Sequence, residues 1–273
     1  MSCAARPALE SESLRIMSRP LPGLPRDTPS VRLERYIAGW FTVPAGIVRR
    51  DDDLDRGVRC PVPVYLVDTA SERILVDTGL HPGAAADPAE RYGRPDALGP
   101  FEAEQDRSIA DQLDLASLTM VVLTHLHFDH AGGLELVPAD VPLVIQRAEW
   151  EAGQDPDAAQ RNFYLPDDYA GSEREVRMVD GDHDLLGDGS VELLLTPGHT
   201  PGHQSVRVGD TVIGADVFHF ASTLDDGRLP VFGDDLQAQA RSGERLRALR
   251  DSGLTVLPGH DADALVPGPV AAT

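Results

Sequence analysis

The chain has few cysteines and a shortage of basic side chains. Its 273 residues include 2 cysteines, Cys3 and Cys60, which are too few for a disulfide framework and lack the spacing of a thiolate zinc site. Lysine and arginine total 24 against 45 aspartates and glutamates, a formal net charge of −21. This balance argues against nucleic acid or an anionic membrane surface as a partner, because both are bound by basic patches.

Long apolar runs are absent from the sequence as well. No stretch approaches the roughly 20 apolar residues of a membrane span, and the first residues lack the apolar segment of a secretory signal. We therefore expect a cytoplasmic protein with no membrane partner. Residues 1–30 are rich in proline, arginine and serine and predict a tail that is poorly ordered or docks on the domain. Residues 31–273 contain no linker-like stretch and predict a single domain.

Strands dominate the structure that the sequence predicts. Helices are predicted at residues 108–115 and at residues 236–250, where apolar residues recur every three or four positions. Short β-branched and aliphatic runs predict strands at residues 62–67, 73–77, 120–124, 141–146, 176–179, 191–196, 204–208, 211–215 and 254–257. This mixture favours a layered α/β fold, with two sheets packed face to face and helices outside.

Histidine or aspartate follows four of these predicted strands. His125, His199, Asp216 and His260 each come just after the last residue of a different strand. In a layered sheet protein such strand ends can converge on one edge, where loops carry the chemistry over a rigid scaffold. Any one of these residues taken alone is more often structural, so the recurrence is what indicates a site.

The motif LTHLHFDHAGG crowds further candidate ligands behind one strand. Imidazole and carboxylate donors without thiolate suit zinc, iron, cobalt or manganese. His125 and His127 can face one ion, while Asp129 and His130 turn to a second. If Asp216 bridges them, the inventory matches a two-metal site, and two ions about 3.5–4 Å apart would hold a hydroxide between them.

Five segments resemble the metallo-β-lactamase fold superfamily. They are VDTG (76–79), THLHFDHAGG (124–133), TPGHTPGH (196–203), GAD (214–216) and PGHD (258–261). The resemblance implies an αββα sandwich of two mixed sheets, with a dinuclear metal site at one edge. It also implies one ion on His125, His127 and His199, a second ion on Asp129, His130 and His260, and Asp216 as the bridge.

The connecting segments resemble the N-acyl homoserine lactonases, the quorum-quenching branch of this superfamily. The most telling are CPVPVYLVDTASERILVDTG (60–79), EQDRSIADQLD (104–114) and QRAEWEA (146–152), and the resemblance spans about residues 31–261. It implies a hydrolase that opens a small-molecule lactone with a metal-bridging hydroxide. Two divalent ions per chain are expected, with zinc first and iron, cobalt or manganese still open, and Asp129 would hand a proton to the departing ring oxygen.

One position departs from the lactonase pattern. These enzymes usually carry a tyrosine three residues after the bridging aspartate, and His219 stands there in this sequence. A histidine could donate a hydrogen bond to the developing oxyanion or to the substrate amide, or it could be only a wall residue. Asp77 in VDTG is expected to orient a metal-binding histidine, and His203 to pack under the site.

Other functions on the same scaffold remain open. The site suits a hydrolase of other lactones or a thioesterase of the glyoxalase II type, although the latter carries a basic C-terminal patch that this sequence lacks. A β-lactamase typically lacks the bridging aspartate, and a non-catalytic relative usually lacks ligands. A homodimer could form through the N-terminal segment and residues 85–105. Aromatic residues that could line an acyl pocket are Trp40, Phe41, Tyr92, Phe101, Phe163 and Tyr164.

Overall fold

Two β-sheets lie face to face in the computed structural model, and helices cover their outer faces. The structure describes residues 31–83, 86–87, 90–91, 102–171 and 173–271. The predicted tail, Tyr92 and Phe101 lie outside these ranges, as does most of the predicted dimer contact at residues 85–105. Within the described ranges, every helix is too short or too polar to cross a bilayer.

The larger sheet is mixed and has eight strands among the described residues. Its order is β13-β1-β2-β3-β5-β6-β7, with β4 paired to β1. The strands from β13 to β3 pair antiparallel, and those from β3 to β7 pair parallel. Their bounds are β1 (Arg32–Pro44), β2 (Gly57–Asp68), β3 (Arg73–Val76), β4 (Glu102–Glu104), β5 (Met120–Val122), β6 (Leu143–Gln146), β7 (Val176–Val179) and β13 (Gly268–Val270).

The second sheet has the order β12-β11-β10-β9-β8. Only the pair of β11 and β12 is parallel among its described strands. Its members are β8 (His183–Asp184), β9 (Val191–Leu195), β10 (Gln204–Val208), β11 (Thr211–Ile213) and β12 (Thr255–Leu257). All nine predicted strands occur in the two sheets, so the predicted pair of mixed sheets is confirmed.

The first and longest strand was not predicted from the sequence. β1 runs for 13 residues, yet it begins with charged residues and its register on β2 shifts between Ile37 and Trp40. Gly39 lies in this irregular stretch with φ of 150°. The bulge interrupts the alternation of apolar and polar residues that makes a strand visible in a sequence.

Helices lie on both outer faces. They are α1 (Ala45–Val48), α2 (Phe128–Ala131), α3 (Arg147–Gln154), α4 (Pro156–Arg161), α5 (Pro166–Tyr169), α6 (Ala221–Asp226) and α7 (Leu236–Asp251), with 3₁₀ turns at Ile109–Asp111, Leu115–Ser117, Leu134–Leu136 and Ala215–Val217. The predicted helix at α7 is confirmed. Its first turn is capped by Asp235, whose side chain accepts from the amides of Gln237 and Ala238.

The predicted helix at residues 108–115 is wrong. The segment forms two separate 3₁₀ turns, the first closed by a capping box between Ser108 and Asp111. Ile109, Leu113 and Leu115 are all buried in the same core cluster. A continuous helix would place Leu113 and Leu115 on different faces, so burying both requires the break.

Each sheet is covered on both faces, by helices on the outside and by the other sheet on the inside. Along β2, Val64 and Leu66 pack under the helices, whereas Tyr65 and Val67 lie between the sheets. This follows from the alternation of side chains in a strand. Because both faces are covered, the central strands read as continuous apolar runs.

A glycine pair brings two loops of the larger sheet into backbone contact. The amide and hydroxyl of Thr78 both donate to the carbonyl of His130, at 2.7 Å and 2.8 Å. A Cβ on Gly132 would lie 2.6 Å from the amide nitrogen of His81, and one on Gly133 would lie 2.2 Å from the Thr78 carbonyl oxygen. Only glycine fits at either position, so VDTG and HLHFDHAGG pack as one unit.

Candidate metal centre

The seven predicted ligands converge at one edge of the sandwich. They follow β5, β9, β11 and β12, and none is more than 7% exposed. Their donor atoms group into sets close enough to share an ion. The seven are His125, His127, Asp129, His130, His199, Asp216 and His260, and His219 joins Asp216 and His260 in a further set.

Asp216 lies in the middle of the cluster and faces both sides. Its Oδ2 is 3.3 Å from Nε2 of His199 and 3.9 Å from Nε2 of His125. Its Oδ1 is 3.1 Å from Nε2 of His260 and 3.4 Å from Nε2 of His130. Oδ2 is also 3.3 Å from Nε2 of His260, so this carboxylate lies between the two halves and contacts both of them.

The first half, which we call the imidazole half, consists of His125, His127 and His199. Nδ1 of His127 is 2.9 Å from Nε2 of His125 and 3.0 Å from Nε2 of His199. On its far side, Nε2 of His127 donates to the carbonyl of Asn162 at 2.8 Å, and Nδ1 of His125 is 3.1 Å from Oγ1 of Thr124. These outer partners leave an unprotonated nitrogen of His125 and of His127 directed inward. Nδ1 of His199 has no such partner among the described residues.

The second half, the mixed half, consists of Asp129, His130 and His260. Oδ2 of Asp129 is 3.4 Å from Nε2 of His260 and 3.6 Å from Nε2 of His130. Nδ1 of His130 donates to Oδ2 of Asp77 at 2.8 Å, and Nδ1 of His260 donates to the carbonyl of Pro61 at 2.9 Å. Here too the inner nitrogen of each ring is left for a ligand.

Asp77 is itself held in a strained backbone conformation. Its φ is 61°, a left-handed value that side-chain-bearing residues rarely adopt. Its two oxygens accept from the amide of Thr124 at 2.7 Å and from the hydroxyl of the same residue at 2.9 Å. The strain and these bonds fix the carboxylate against His130.

The electrostatics of the cluster favour a cation at its centre. Burial raises the pKa of Asp216, but the imidazoles around it, led by His260, outweigh burial and hold the pKa well below its usual range. Burial opposes charge on His130, yet three carboxylates, led by Asp129, raise its pKa well above the usual value. Nε2 of His130 and Oδ1 of Asp216 are buried without a hydrogen-bond partner among the described residues. Five imidazoles and two carboxylates with such inward atoms fit divalent ions.

His219 points into the cluster. Its ring stacks on His260 with centroids 5.3 Å apart, and its Nε2 is 3.4 Å from Oδ2 of Asp216. The residue is 3% exposed, and its Nδ1 has no hydrogen-bond partner within the described part of the chain. Burial lowers its pKa, so at neutral pH the ring is uncharged and carries one N–H that can be donated.

His203 lies beneath Asp216. Its Nε2 accepts from the Asp216 amide at 3.1 Å, while its Nδ1 lies 3.1 Å from the carbonyl oxygen of Thr196. Burial lowers the pKa of His203 to about 3, so the ring is neutral and supports the loop of Asp216. From the other side, the amide of Gln239 donates to the Asp216 carbonyl at 3.0 Å.

Aromatic rings flank the imidazole half at the surface. Phe232 lies 5.7 Å from His199 and 6.4 Å from His219, measured between centroids. Phe163 packs on Phe232 and is 44% exposed, with a left-handed φ of 58°. Tyr164 is buried instead, and its hydroxyl donates to Glu149. An apolar rim therefore borders the cluster.

Four residues that support the ligands were missed by the sequence reasoning. Asn162 and Pro61 act through their carbonyl oxygens, which every residue type possesses. Gln239 and Glu149 are fully buried polar side chains on helices α7 and α3. The only available signal was a polar residue on a helix face that packs inward, which is too common to identify a site.

Comparison with known proteins agrees with this geometry. A model of the metallo-beta-lactamase superfamily matches residues 57–260. The chain belongs to this superfamily. The N-acyl homoserine lactonase of Bacillus cereus is 31% identical to it over 217 residues, covering 74% of this chain and 82% of that relative. N-acyl homoserine lactonase AttM of Azorhizobium caulinodans is 29% identical over 219 residues, covering 75% and 83%.

Solved structures of lactonases share the fold of this superfamily member. An N-acyl homoserine lactone hydrolase with the product N-hexanoyl-L-homoserine at its catalytic metal centre matches with a TM-score of 0.74 and 25% identity, covering 85% of this chain and 94% of that one. AidC, a dizinc quorum-quenching lactonase, matches in fold with a TM-score of 0.62 and 17% identity, covering 88% and 90%. The predicted αββα fold and lactonase branch are confirmed, and the chain is a metal-dependent hydrolase.

Proposed function

We propose that this enzyme opens the lactone ring of N-acyl homoserine lactones with two divalent metal ions. The observation that carries the proposal is the arrangement of Asp216, whose two oxygens face two separate sets of inward-directed ligands. The relatives supply the substrate class, since their names describe N-acyl homoserine lactonases.

The proposed ligand sets follow the two halves of the centre. The imidazole half would hold one ion and the mixed half the other, with Asp216 shared between them. Zinc is the first candidate, although iron, cobalt and manganese accept the same donors. Bound in such a pair, divalent ions lower the pKa of water and polarise a substrate carbonyl.

Two side chains have proposed roles in proton handling and charge stabilisation. Asp129 lies on the His260 side of the cluster, where its carboxylate can hold a proton and pass it to the departing ring oxygen. His219 is neutral and reaches the bridging carboxylate, so its N–H can donate to the carbonyl oxygen as negative charge develops there.

The rim at Phe163 and Phe232 supports a substrate with an apolar side chain. These rings border the imidazole half and leave an apolar surface exposed beside it. A fatty acyl chain would remove this surface from water, which contributes about 25 cal/mol per Å² buried. The second candidate function, hydrolysis of other lactones or thioesters, is favoured by one observation, the presence of His219 where lactonases usually have tyrosine.

A substrate panel on protein of known metal content tests the proposal. Acid release at constant pH would be followed with homoserine lactones of short and long acyl chains, simple γ- and δ-lactones, a thioester and a β-lactam. We expect about two metals per chain and the highest kcat/KM on acylated homoserine lactones. Protein stripped by a chelator should be inactive and should recover when metal is restored.

Activity confined to simple lactones, thioesters or β-lactams would overturn the proposed substrate while leaving the metal centre in place. One metal per chain with full activity would overturn the shared role of Asp216.

A further inference from the structure

Glu149 is a fully buried carboxylate that the proposed chemistry does not use. It lies in the first turn of α3 and is 0% exposed. Burial raises its pKa, which reflects the cost of keeping a carboxylate away from water. A group with that cost persists only when donors satisfy its oxygens, so its partners indicate what it holds in place.

The hydrogen bonds of Glu149 join the two loops of the imidazole half. Oε1 accepts from the backbone amide of Leu126 at 2.9 Å, and Leu126 lies between His125 and His127. Oε2 accepts from the backbone amide of Gly202 at 2.8 Å, three residues after His199. One carboxylate therefore connects the segments that carry all three imidazoles.

The third donor belongs to the segment that orients His127. The hydroxyl of Tyr164 donates to Oε1 of Glu149 at 2.7 Å, and its ring lies 5.7 Å from the ring of His127. Two residues earlier, the carbonyl of Asn162 accepts from His127. Glu149 is thus bonded to the segments of Leu126, Gly202 and Tyr164, whereas Thr124, which contacts Nδ1 of His125, is bonded to Asp77.

The segments around the Glu149 carboxylate are closely packed. A Cβ on Gly202 would lie 2.2 Å from the backbone nitrogen of Glu149, so the loop rests directly on the helix. A Cβ on Gly153, one turn further along α3, would lie 2.5 Å from Cδ1 of Leu126. A change at Glu149 must therefore move the loops, because neither the helix nor the loop has space to adjust.

The mixed half is supported elsewhere. His130 is held by Asp77, and His260 by the carbonyl of Pro61 on β2. Among the described residues, no hydrogen bond joins Glu149 to Asp129, His130 or His260. An effect transmitted by Glu149 should therefore reach one half of the centre and spare the other.

We propose that Glu149 is a positioning residue that holds the two loops of the imidazole half together and thereby determines how firmly that half retains its metal ion. This inference rests on the proposed two-metal site. It assigns Glu149 no contact with substrate.

Glu149→Gln is the variant that tests it. The glutamine carbonyl can still accept from Leu126 and Tyr164, but its amide group would face the N–H of Gly202, donor against donor. Protein fully loaded with metal ions would be mixed with an excess of a chromogenic chelator, and the release of each ion would be followed in time. We expect one release phase to accelerate about 10-fold, the lower end of the range for groups bonded directly to a metal ligand, because Glu149 acts on the loops and not on a ligand itself. The other phase should be unchanged.

Tyr169→Phe is the matched control. The Tyr169 hydroxyl donates to the carbonyl of Gly153 at 2.9 Å on the same helix, and this bond involves neither loop of the imidazole half. This variant should lower the melting temperature of the metal-free protein while leaving both release phases at wild-type rates. Tyr164→Phe removes one of the three donors and should accelerate the same phase as Glu149→Gln by a smaller factor. This second variant keeps the inference testable if Glu149→Gln does not fold.

The outcomes separate this inference from the proposed function. Wild-type protein that retains fewer than two ions overturns the two-metal proposal and this inference with it. Wild-type protein with two ions, combined with a glutamine variant that melts at a lower temperature yet releases both ions at wild-type rates, overturns the inference alone. Equal acceleration of both phases overturns it as well, since that would be general loosening.

Discussion

The two halves of the candidate metal centre have different main supports. The imidazole half comes from loops that meet at one buried side chain on α3, Glu149. The mixed half is attached directly to the larger sheet, through Asp77 after β3 and the carbonyl of Pro61 in β2. One edge of the sandwich thus presents similar side chains on two kinds of support. A helix side chain supports one half, and a side chain and a carbonyl of the larger sheet support the other.

Asp216→Asn should weaken metal binding in both halves, because this carboxylate faces both of them. An amide offers one oxygen and less negative charge, so we expect loss of the second ion and a fall in kcat/KM of more than about 100-fold, beyond the range for outer partners. Metal analysis and steady-state kinetics measure both effects. Asp188→Asn, in an exposed turn, is the control. Two retained ions with full activity would disprove the bridge.

His219→Phe tests the residue that touches both halves, stacking on His260 and lying 5.7 Å from His199. The phenyl ring fills the same space but cannot donate a hydrogen bond. We expect kcat to fall about 10²-fold, typical of one lost oxyanion donor, with the metal content unchanged. His219→Tyr should retain most activity. A drop in metal content on His219→Phe would instead make His219 a ligand.

Asp77→Asn tests the support of the mixed half, as Glu149→Gln tests the support of the imidazole half. Nδ1 of His130 would lose its charged acceptor, while the imidazole half would keep the bonds of Glu149 and lose only the anchor of Thr124 beside His125. We expect one ion to be released about 10- to 100-fold faster, in the phase that Glu149→Gln leaves unchanged. Chelator kinetics on the two variants and their double mutant provide the measurement. If both variants accelerate the same phase, the two supports are not separate.

The smallest expected effect is a change in how stability depends on pH. It is expected at His203, which lies beneath Asp216. Its pKa in the folded protein is about 3, against about 6.5 in an unfolded chain. The unfolded state therefore binds the proton first, and the metal-free protein should lose stability as pH falls from about 6.5 towards about 3, by at most about 1.4 kcal/mol per pH unit from this residue.

His203→Gln should reduce that slope when urea unfolding of the metal-free protein is compared at pH 7 and pH 5. Part of the slope should remain, because burial also lowers the pKa values of His125 and His127. An unchanged slope would mean that His203 is protonated in the folded state.

The convergence of the candidate ligands could be anticipated from the sequence, whereas the groups that support them could not. A histidine or aspartate directly after a buried apolar run is visible because the residue type and the strand pattern coincide. The carbonyl of Pro61 supports His260 from 199 positions away along the chain, and any residue could supply that oxygen. Glu149 and Gln239 look like ordinary polar helix residues until the packing of the loops is known.

Errors in the predicted fold have similar causes. The 13 residues of β1 were missed because a register shift interrupts their alternation. The sequence predicts a helix at residues 108–115, but the segment forms two turns, and Leu113 and Leu115 are both buried in one core cluster. In each case a contact with a distant part of the chain outweighed the local preference.

The contact of Gly132 and Gly133 with the VDTG loop has a consequence for protein engineering. Since backbone meets backbone there, with Thr78 bonded to the His130 carbonyl, neither loop has a surface of its own that can be redesigned separately. Because backbone atoms and glycines make these contacts, a histidine motif imported from another protein should fold here only if it carries both glycines. A side chain at either position should displace the VDTG loop together with the histidine motif.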